Sequence, residues 1–138
     1  MIVIDTSVAV KLIFHEEKSE IAKQLLIFHI KGVEQIIVPH FLFIEVANVL
    51  ATKTKFATPD IKRGLEFLYN SNFLIHEITQ ADLIYASILA KEHKTSVYDM
   101  FYSVIAKNKK IKLVTADDKF VKKVGWPFVQ SLKQLAPK

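Results

Sequence analysis

Four acidic residues in this 138-residue chain each interrupt an apolar segment: Asp5, Glu45, Asp99 and Asp117. Asp5 ends the run "MIVID", and Asp117 ends the run "LVTAD". A carboxylate among apolar neighbours is unfavourable unless it is paired, hydrogen-bonded or bound to a cation. The same feature at four places indicates that these acids share one site.

The chemistry of such a site follows from its charge. Two like charges about 4 Å apart repel by roughly 4 kcal/mol at an effective dielectric of about 20, so converging carboxylates require a cation. The chain has no cysteine, and oxygen ligands favour Mg²⁺ or Mn²⁺ over zinc. Magnesium held by a few carboxylates keeps positions open for water and phosphate. The pattern therefore predicts phosphodiester hydrolysis by a metal-activated water.

Short apolar segments alternate with helical patterns along the chain. This alternation predicts an α/β fold, a three-layer α/β/α sandwich with a central, mostly parallel sheet. We expect strands at residues 2–4, 35–39, 73–78, 111–116 and, at an edge, 127–132. We expect helices at residues 8–14, 19–32, 40–55, 58–71, 79–94, 97–110 and 118–125. Ligands of such sheets bind beyond the carboxyl ends of the strands, where Asp5 and Asp117 stand.

Several residue patterns predict where these helices begin and end. Ser7 is expected to cap the first helix, and Thr58, followed by proline, the fourth. Thr79 and Asp82 have the spacing of a capping box, with Asp in place of the usual Glu. Gly125 is expected to end the last helix.

Three further polar positions accompany the acids. Asn48 lies three residues after Glu45, so the two share one face of an otherwise apolar helix. Asp99 falls in the first turn of its helix, where the helix dipole favours an anion. Asp118 opens the short helix after Asp117, and both a capping role and a role in the site stay open for it.

The composition adds a formal net charge of +5 and a pI near 9.3, which favour an anionic partner such as nucleic acid. Lys11 follows Ser7 by one helical turn, and Lys119 belongs to a lysine-rich segment at 107–123. Both are candidates for contacts with a nucleic-acid backbone, and both also fit ordinary solvated lysines. The longest apolar stretch, residues 41–51, is too short for a membrane span and contains Glu45. With no signal-peptide pattern, we expect one cytoplasmic domain over residues 1–138.

Four segments together resemble a known family. "VIDTSVAVKL", "FIEVANVL", "YDMFYSVIAK" and "LVTADDKF" are similar, in order, to the motifs of the PIN-domain ribonucleases, above all the VapC-type toxins of toxin–antitoxin pairs. The resemblance extends over about residues 2–122. It implies cleavage of single-stranded RNA that depends on Mg²⁺ or Mn²⁺ and leaves a 5′-phosphate and a 3′-hydroxyl. It also implies a homodimer that a cognate antitoxin protein holds inactive.

The resemblance also assigns roles by motif position. Asp5, Glu45, Asp99 and Asp117 fall where the family places its catalytic and metal-binding acids. The supporting positions are Thr6, Ser7, Asn48, Thr115 and Asp118.

Two other functions remain as alternatives. A catalytically silent RNA-binding or antitoxin-binding PIN module is possible, although the complete set of four acids speaks against it. Phosphoaspartyl phosphatases also combine a strand-end aspartate with Mg²⁺, but they usually carry a second Asp two residues later. Ser7 occupies that position here.

Overall fold

Short apolar segments form a five-stranded sheet in the computed structural model, which describes residues 1–135. The strands are β1 (Ile2–Ile4), β2 (Ile36–Pro39), β3 (Leu74–His76), β4 (Lys112–Thr115) and β5 (Val129–Ser131). All residues of β1 and β2 are buried, as expected for apolar strands covered on both faces. The last three residues of the predicted domain, 136–138, lie outside the described range.

The strand order is β3-β2-β1-β4-β5, and every neighbouring pair is parallel. The chain moves from β1 outward through β2 to β3 and then returns to β4 on the other side of β1. The order therefore reverses between β1 and β4, where Ile4 pairs with Val114. A crevice at the carboxyl ends of two such strands is the usual ligand site of a parallel α/β sheet. The predicted fold class and the predicted edge position of the last strand are confirmed.

Seven α-helices connect the strands within residues 1–135, followed by a 3₁₀ turn at Leu132–Leu135. The helices are α1 (Thr6–Ile13), α2 (Ser19–Ile30), α3 (Phe41–Thr52), α4 (Thr58–Asn70), α5 (Gln80–His93), α6 (Val97–Lys109) and α7 (Asp118–Val124). Helix α1 packs against α2, α3 and α4, and α5 packs against α6, which also contacts β1 and β4. In the described part of the chain, no helix has the length and apolarity needed to cross a membrane.

Two predicted helix caps are wrong, and the cap of a third helix changes the role of an acid. The cap of α1 is Asp5 and not Ser7, because the Asp5 carboxylate accepts a hydrogen bond from the Val8 backbone N–H at 3.2 Å. The cap position of α4 is Ala57, not Thr58. Asp117 caps α7, so Asp118 is its first helical residue.

The other end signals are confirmed. Thr79 Oγ1 accepts from the Asp82 backbone N–H at 3.1 Å, and Asp82 Oδ2 accepts from the Thr79 backbone N–H at 3.1 Å. This reciprocal pair is the predicted capping box. Gly125 ends α7 with a φ of 65°, a left-handed conformation that glycine adopts without strain.

Helix α6 has more buried residues than any other helix of residues 1–135. Seven consecutive residues, 100–106, are buried. Full burial of a large apolar side chain, such as Met100 or Phe101, stabilises the folded state by about 1.5–3 kcal/mol. Helix α6 is therefore held firmly against β1 and β4. Asp99 stands directly before this buried segment, and its backbone N–H donates to the capping Ser96 Oγ at 3.0 Å. The burial of α6 therefore fixes the position of Asp99.

Candidate active site

Asp5 lies at the carboxyl end of β1 and accepts three hydrogen bonds. Ser7 Oγ donates to it at 2.5 Å, the Val8 backbone N–H at 3.2 Å, and Thr115 Oγ1 donates to its second oxygen. Ser7 Oγ also accepts from the Ala116 backbone N–H at 2.9 Å. These contacts join the ends of β1 and β4 and hold the Asp5 carboxylate in one orientation.

Glu45 projects from the middle of α3 toward the same edge of the sheet. Its Oε1 accepts a hydrogen bond from Thr6 Oγ1 at 3.0 Å and one from the Tyr102 hydroxyl at 2.5 Å. Thr6 Oγ1 and the Tyr102 hydroxyl are themselves 2.9 Å apart. Helices α1, α3 and α6 therefore all contribute to the position of this one carboxylate.

Asp99 and Asp117 are the two exposed members of the set. Asp117 follows β4 by two residues; its backbone N–H donates to Thr115 Oγ1 at 3.1 Å, and its carboxylate accepts from the Phe120 backbone N–H at 3.1 Å. Asp99 is close enough to influence the ionisation of the other acids, since its charge acts on Asp5 and Glu45 and the charge of Asp117 acts on it. Asp99 is thus the residue that connects the four electrostatically.

The ionisation of these acids reflects burial and mutual repulsion. Burial raises the pKa of Asp5 to about 6, although its three hydrogen bonds lower it and Asp99 raises it further. Partial desolvation raises the pKa of the Asp99 carboxyl, its contact with Ser96 lowers it, and Asp117 raises it. Burial is the largest cause of these shifts, and repulsion between the acids adds to it, so the site disfavours the charged carboxylates.

Glu45 and Tyr102 show the same behaviour. Burial raises the pKa of Glu45, the hydrogen bonds from Tyr102 and Thr6 oppose this effect, and the charge of Asp99 adds to it. Burial, together with the neighbouring Glu45 carboxylate, raises the pKa of the Tyr102 hydroxyl far above its usual value. Tyr102 therefore stays protonated and remains a hydrogen-bond donor to Glu45.

No protein cation in residues 1–135 neutralises the set. Within residues 1–135, none of the ion pairs formed by Lys, Arg or His involves any of the four acids. Their donors are hydroxyl groups and backbone N–H groups, which are neutral. An all-oxygen donor set with uncompensated negative charge fits the preference of Mg²⁺ and Mn²⁺.

The acids do not form a ready-made cage. In the described part of the chain, no three acidic or histidine side chains are grouped closely enough to hold one metal ion between them. Magnesium often binds through one or two carboxylates, with water completing its coordination. The donor chemistry therefore fits a hydrated magnesium ion better than a fully enclosed one.

The other predicted residues are placed as follows. Asn48 is exposed and lines a cavity of about 450 Å³ together with Thr6, Glu45 and Tyr98. Asp118 is exposed in the first turn of α7. Lys11 is half-buried, and its ammonium group donates to Glu17 O at 2.7 Å and to Glu16 Oε2 at 3.4 Å.

Lys119 is exposed on α7. In residues 1–135 no hydrogen bond or ion pair connects it to the acids, and it stays a prediction without a structural argument of its own.

Tyr102 is the participant that sequence reasoning missed. It lies three residues after Asp99 on α6, so the two side chains share a helix face. This spacing was available in the segment "YDMFY". The aromatic ring also suits a core position, however, and Tyr102 is indeed only 1% exposed.

The fold agrees with the comparison to known proteins. The model of the PIN domain family matches residues 2–125, and this chain belongs to the PIN domain family. Among curated protein sequences, none matches the chain.

Three solved structures share the fold. The protein PAE2754 from Pyrobaculum aerophilum is 22% identical with a TM-score of 0.72, and the likeness covers 97% of this chain and 85% of that one. A toxin–antitoxin complex from Klebsiella pneumoniae is 20% identical with a TM-score of 0.67, covering 94% and 95%. VapC20 from Mycobacterium tuberculosis, a toxin that cleaves the sarcin–ricin loop, is 14% identical with a TM-score of 0.70, covering 91% and 96%. At these identities the likeness establishes the fold alone.

Proposed function

We propose that this protein is an endoribonuclease that depends on Mg²⁺ or Mn²⁺ and acts as the toxin of a toxin–antitoxin pair. The observation that carries the proposal is the position of Asp5, Glu45, Asp99 and Asp117. Asp5 and Asp117 follow β1 and β4, the strands between which the order reverses, and Glu45 accepts a hydrogen bond from Thr6, the residue next to Asp5. The charge of Asp99 acts on Asp5 and Glu45, and within residues 1–135 none of the four acids forms an ion pair with a protein cation. Membership of the PIN family and the fold of VapC20, an RNA-cleaving toxin, support the same function.

The four acids divide into two roles in this proposal. Asp5 and Glu45 are held by neutral donors and provide fixed oxygen ligands. Asp99 and Asp117 are exposed and complete the ligand set as substrate arrives. A divalent cation bound there would supply activation of water and stabilisation of charge on the phosphate.

The hydroxyl groups act through the acids. Ser7 and Thr115 orient Asp5, and Thr6 and Tyr102 orient Glu45. Asn48 lies beside Glu45 at the cavity surface, where its amide is available to the RNA. Such positioning matters because small displacements of ligands weaken catalysis strongly.

The products of cleavage test the reaction. The purified protein, free of antitoxin, is incubated with end-labelled single-stranded RNA in Mg²⁺, Mn²⁺ or EDTA. Hydrolysis by an activated water yields a 5′-phosphate and a 3′-hydroxyl, and EDTA abolishes it. Cleavage that continues in EDTA and yields a 2′,3′-cyclic phosphate would contradict the proposed mechanism, since attack by the 2′-hydroxyl requires no metal.

The proposed partners are a cognate antitoxin protein and a second copy of the chain, and the proposed location is the cytoplasm. Exposed apolar side chains support a partner surface, because large ones cluster at the end of α2 and on α5. They include Ile30, Val33, Leu83, Ile84 and Ile88. Light scattering at micromolar concentration tests the dimer, and a monomeric mass contradicts it.

The silent-module alternative makes a different prediction. A PIN module that only binds RNA or antitoxin would bind labelled RNA without cleaving it in any metal. Asp5→Asn would then have no effect on cleavage, because there is none, and RNA binding would stay the same. In a nuclease, the same change abolishes cleavage and leaves binding in place.

A further inference from the structure

A cavity of about 610 Å³ adjoins the candidate active site. Its near wall is formed by Thr6, Ser7 and Ala116. Thr6 donates a hydrogen bond to Glu45, Ser7 donates one to Asp5, and Ala116 directly follows β4. The volume lies within the range of about 300–1,000 Å³ that small-ligand sites occupy. A group bound in this cavity would therefore lie directly beside the acids.

The far wall of this cavity is basic. Lys53 and Lys55 lie in the loop between α3 and α4, and Lys11 comes from α1. Glu16 is the single acid of the lining, so the cavity carries a net positive charge. This charge stands next to a strongly negative cluster, an arrangement that suits a chain of phosphates better than a neutral ligand.

Glu16 already occupies the position of an anion between two of these lysines. Its carboxylate lies 3.4 Å from the Lys11 ammonium group and 3.2 Å from that of Lys55. The Lys55 side chain is 61% exposed, so its ion pair is screened by water and weak. A phosphate can replace Glu16 as the partner of Lys55 at little cost.

An aromatic surface completes the lining. Phe56 packs against Phe14 with ring centroids 4.2 Å apart, and the Lys55 ammonium group lies 5.0 Å from the Phe56 ring centroid. Basic groups interleaved with an aromatic ring are the combination that binds single-stranded nucleic acid, because bases stack on the ring and lysines contact phosphates. An acidic polypeptide would use the lysines but would have no need of the ring.

We propose that this cavity binds the nucleotide next to the scissile phosphate of an RNA strand, with its base against Phe56 and a phosphate at Lys53 and Lys55. Glu16 is the anion that this phosphate displaces. The inference rests on the proposed function, since it presumes that RNA reaches the acids. It gives the α3–α4 loop a role in substrate binding.

The test measures RNA binding separately from cleavage. A fluorescein-labelled single-stranded RNA of mixed sequence is titrated against the full-length Asp99→Asn protein in EDTA, at several salt concentrations. In this background, Lys53→Gln with Lys55→Gln is expected to weaken binding roughly tenfold and to lower the salt slope by about 0.7 for each lysine. Lys62→Gln, a change at an exposed lysine on α4, is the matched control.

Glu16→Gln provides a variant of opposite sign. It removes the competing anion and leaves the Glu16 backbone contact to Ser19 in place, so RNA binding is expected to tighten about threefold. Phe56→Leu keeps the apolar packing but removes the stacking surface, and it is expected to weaken binding about fivefold or more. A loop with a purely structural role would produce losses from all three changes.

The outcomes separate the two proposals. If wild-type protein cleaves RNA but the lysine pair and Lys62→Gln behave alike, the cavity inference is overturned and the nuclease stands. If nothing is cleaved but the lysine pair still weakens binding, the nuclease proposal fails; the cavity is then an RNA-binding site, but not one beside a scissile phosphate. Equal binding of poly-glutamate and RNA, or unchanged binding in Phe56→Leu, overturns nucleotide recognition in the cavity.

Discussion

Asp5 and Asp82 are two shielded carboxylates at helix starts, and they differ in what surrounds them. Asp82 Oδ2 lies 2.8 Å from His76 Nε2 and also accepts from the Thr79 backbone N–H. Asp5 accepts its hydrogen bonds from neutral groups and is repelled by Asp99. The charge of Asp82 has a partner in His76, whereas in residues 1–135 Asp5 forms no ion pair.

The pKa values of the two groups shift in opposite directions. Burial alone would raise the pKa of Asp82, but the hydrogen bonds from His76 and Thr79 lower it below its usual value. Burial raises the pKa of Asp5 to about 6. A carboxylate that the fold stabilises contributes to structure, and one that the fold leaves uncompensated is available to a ligand. The following predictions test this difference.

The largest expected effect is the loss of RNA cleavage in the Asp5→Asn variant. The amide cannot supply an anionic oxygen, so we expect RNA cleavage to fall by about a hundredfold or more. Stability of the metal-free protein at neutral pH should change little, because removing the unpaired charge offsets the loss of one acceptor oxygen for Ser7 or Thr115. Cleavage rates and thermal unfolding of the purified variant check both parts, and substantial cleavage would remove Asp5 from the site.

The matched change, Asp82→Asn, should have the reverse effect. Losing the charged partner of His76 and one capping acceptor is expected to lower the free energy of unfolding by about 1–3 kcal/mol. Cleavage per folded molecule should stay the same, because Asp82 lies on α5 outside the candidate site. Urea unfolding measures the first quantity; a stable but inactive variant would mean that the comparison is wrong.

Tyr102→Phe tests positioning with a smaller change. The ring stays buried, but Glu45 loses its hydrogen bond from the hydroxyl. We expect a decrease of roughly tenfold in cleavage, since such supporting contacts typically contribute 10- to 100-fold. If kcat falls while RNA binding and unfolding remain near wild type, the hydroxyl acts through Glu45; a loss explained wholly by unfolding contradicts this role.

The smallest effect concerns pH. The folded-state pKa of Asp5 is raised, so its contribution to stability is complete below its unfolded pKa of about 3.9 and is lost as the pH rises to about 6. The lowered pKa of Asp82 means that its contribution is complete above about pH 4 and is lost in more acidic solution. In metal-free protein, the melting temperature of Asp5→Asn should therefore rise relative to that of wild type as the pH increases from 4 to 7.

Asp82→Asn should show the opposite pattern, with its deficit shrinking as the pH falls below about 4. If the melting temperatures of wild type, Asp5→Asn and Asp82→Asn all change with pH in the same way, the assignment of charge partners is contradicted.

Much of the fold was predictable because its signals are local. Apolar runs and turn residues such as Gly125 identified the five strands and seven helices of residues 1–135 and their order. The sequence placed Asp5 and Asp117 directly after two strands, but that these strands, β1 and β4, are parallel neighbours is known only from the structure. Membership of the PIN family was visible in four short motifs.

The missed features depend on contacts between distant parts of the chain. The local pattern predicted Ser7 as a cap, and only the family resemblance implied that its hydroxyl orients a carboxylate; in the fold this hydroxyl donates to Asp5 and accepts from the Ala116 backbone N–H, 109 residues away. Tyr102 reaches Glu45 across 57 residues. Likewise, the cavity lined by Lys11, Lys53 and Lys55 forms only because the loop after α3 lies close to α1, and no local pattern indicates this.

The central claim is that the four acids form a metal-dependent nuclease site, and Asp99 connects them. The most direct measurement is cleavage of labelled single-stranded RNA in Mg²⁺ and Mn²⁺ by wild type, Asp99→Asn and the control Glu66→Gln, an exposed acid on α4. We predict cleavage by wild type and Glu66→Gln, none in EDTA, and a loss of about a hundredfold or more in Asp99→Asn. Equal cleavage by all three proteins, or cleavage unaffected by EDTA, would contradict the claim.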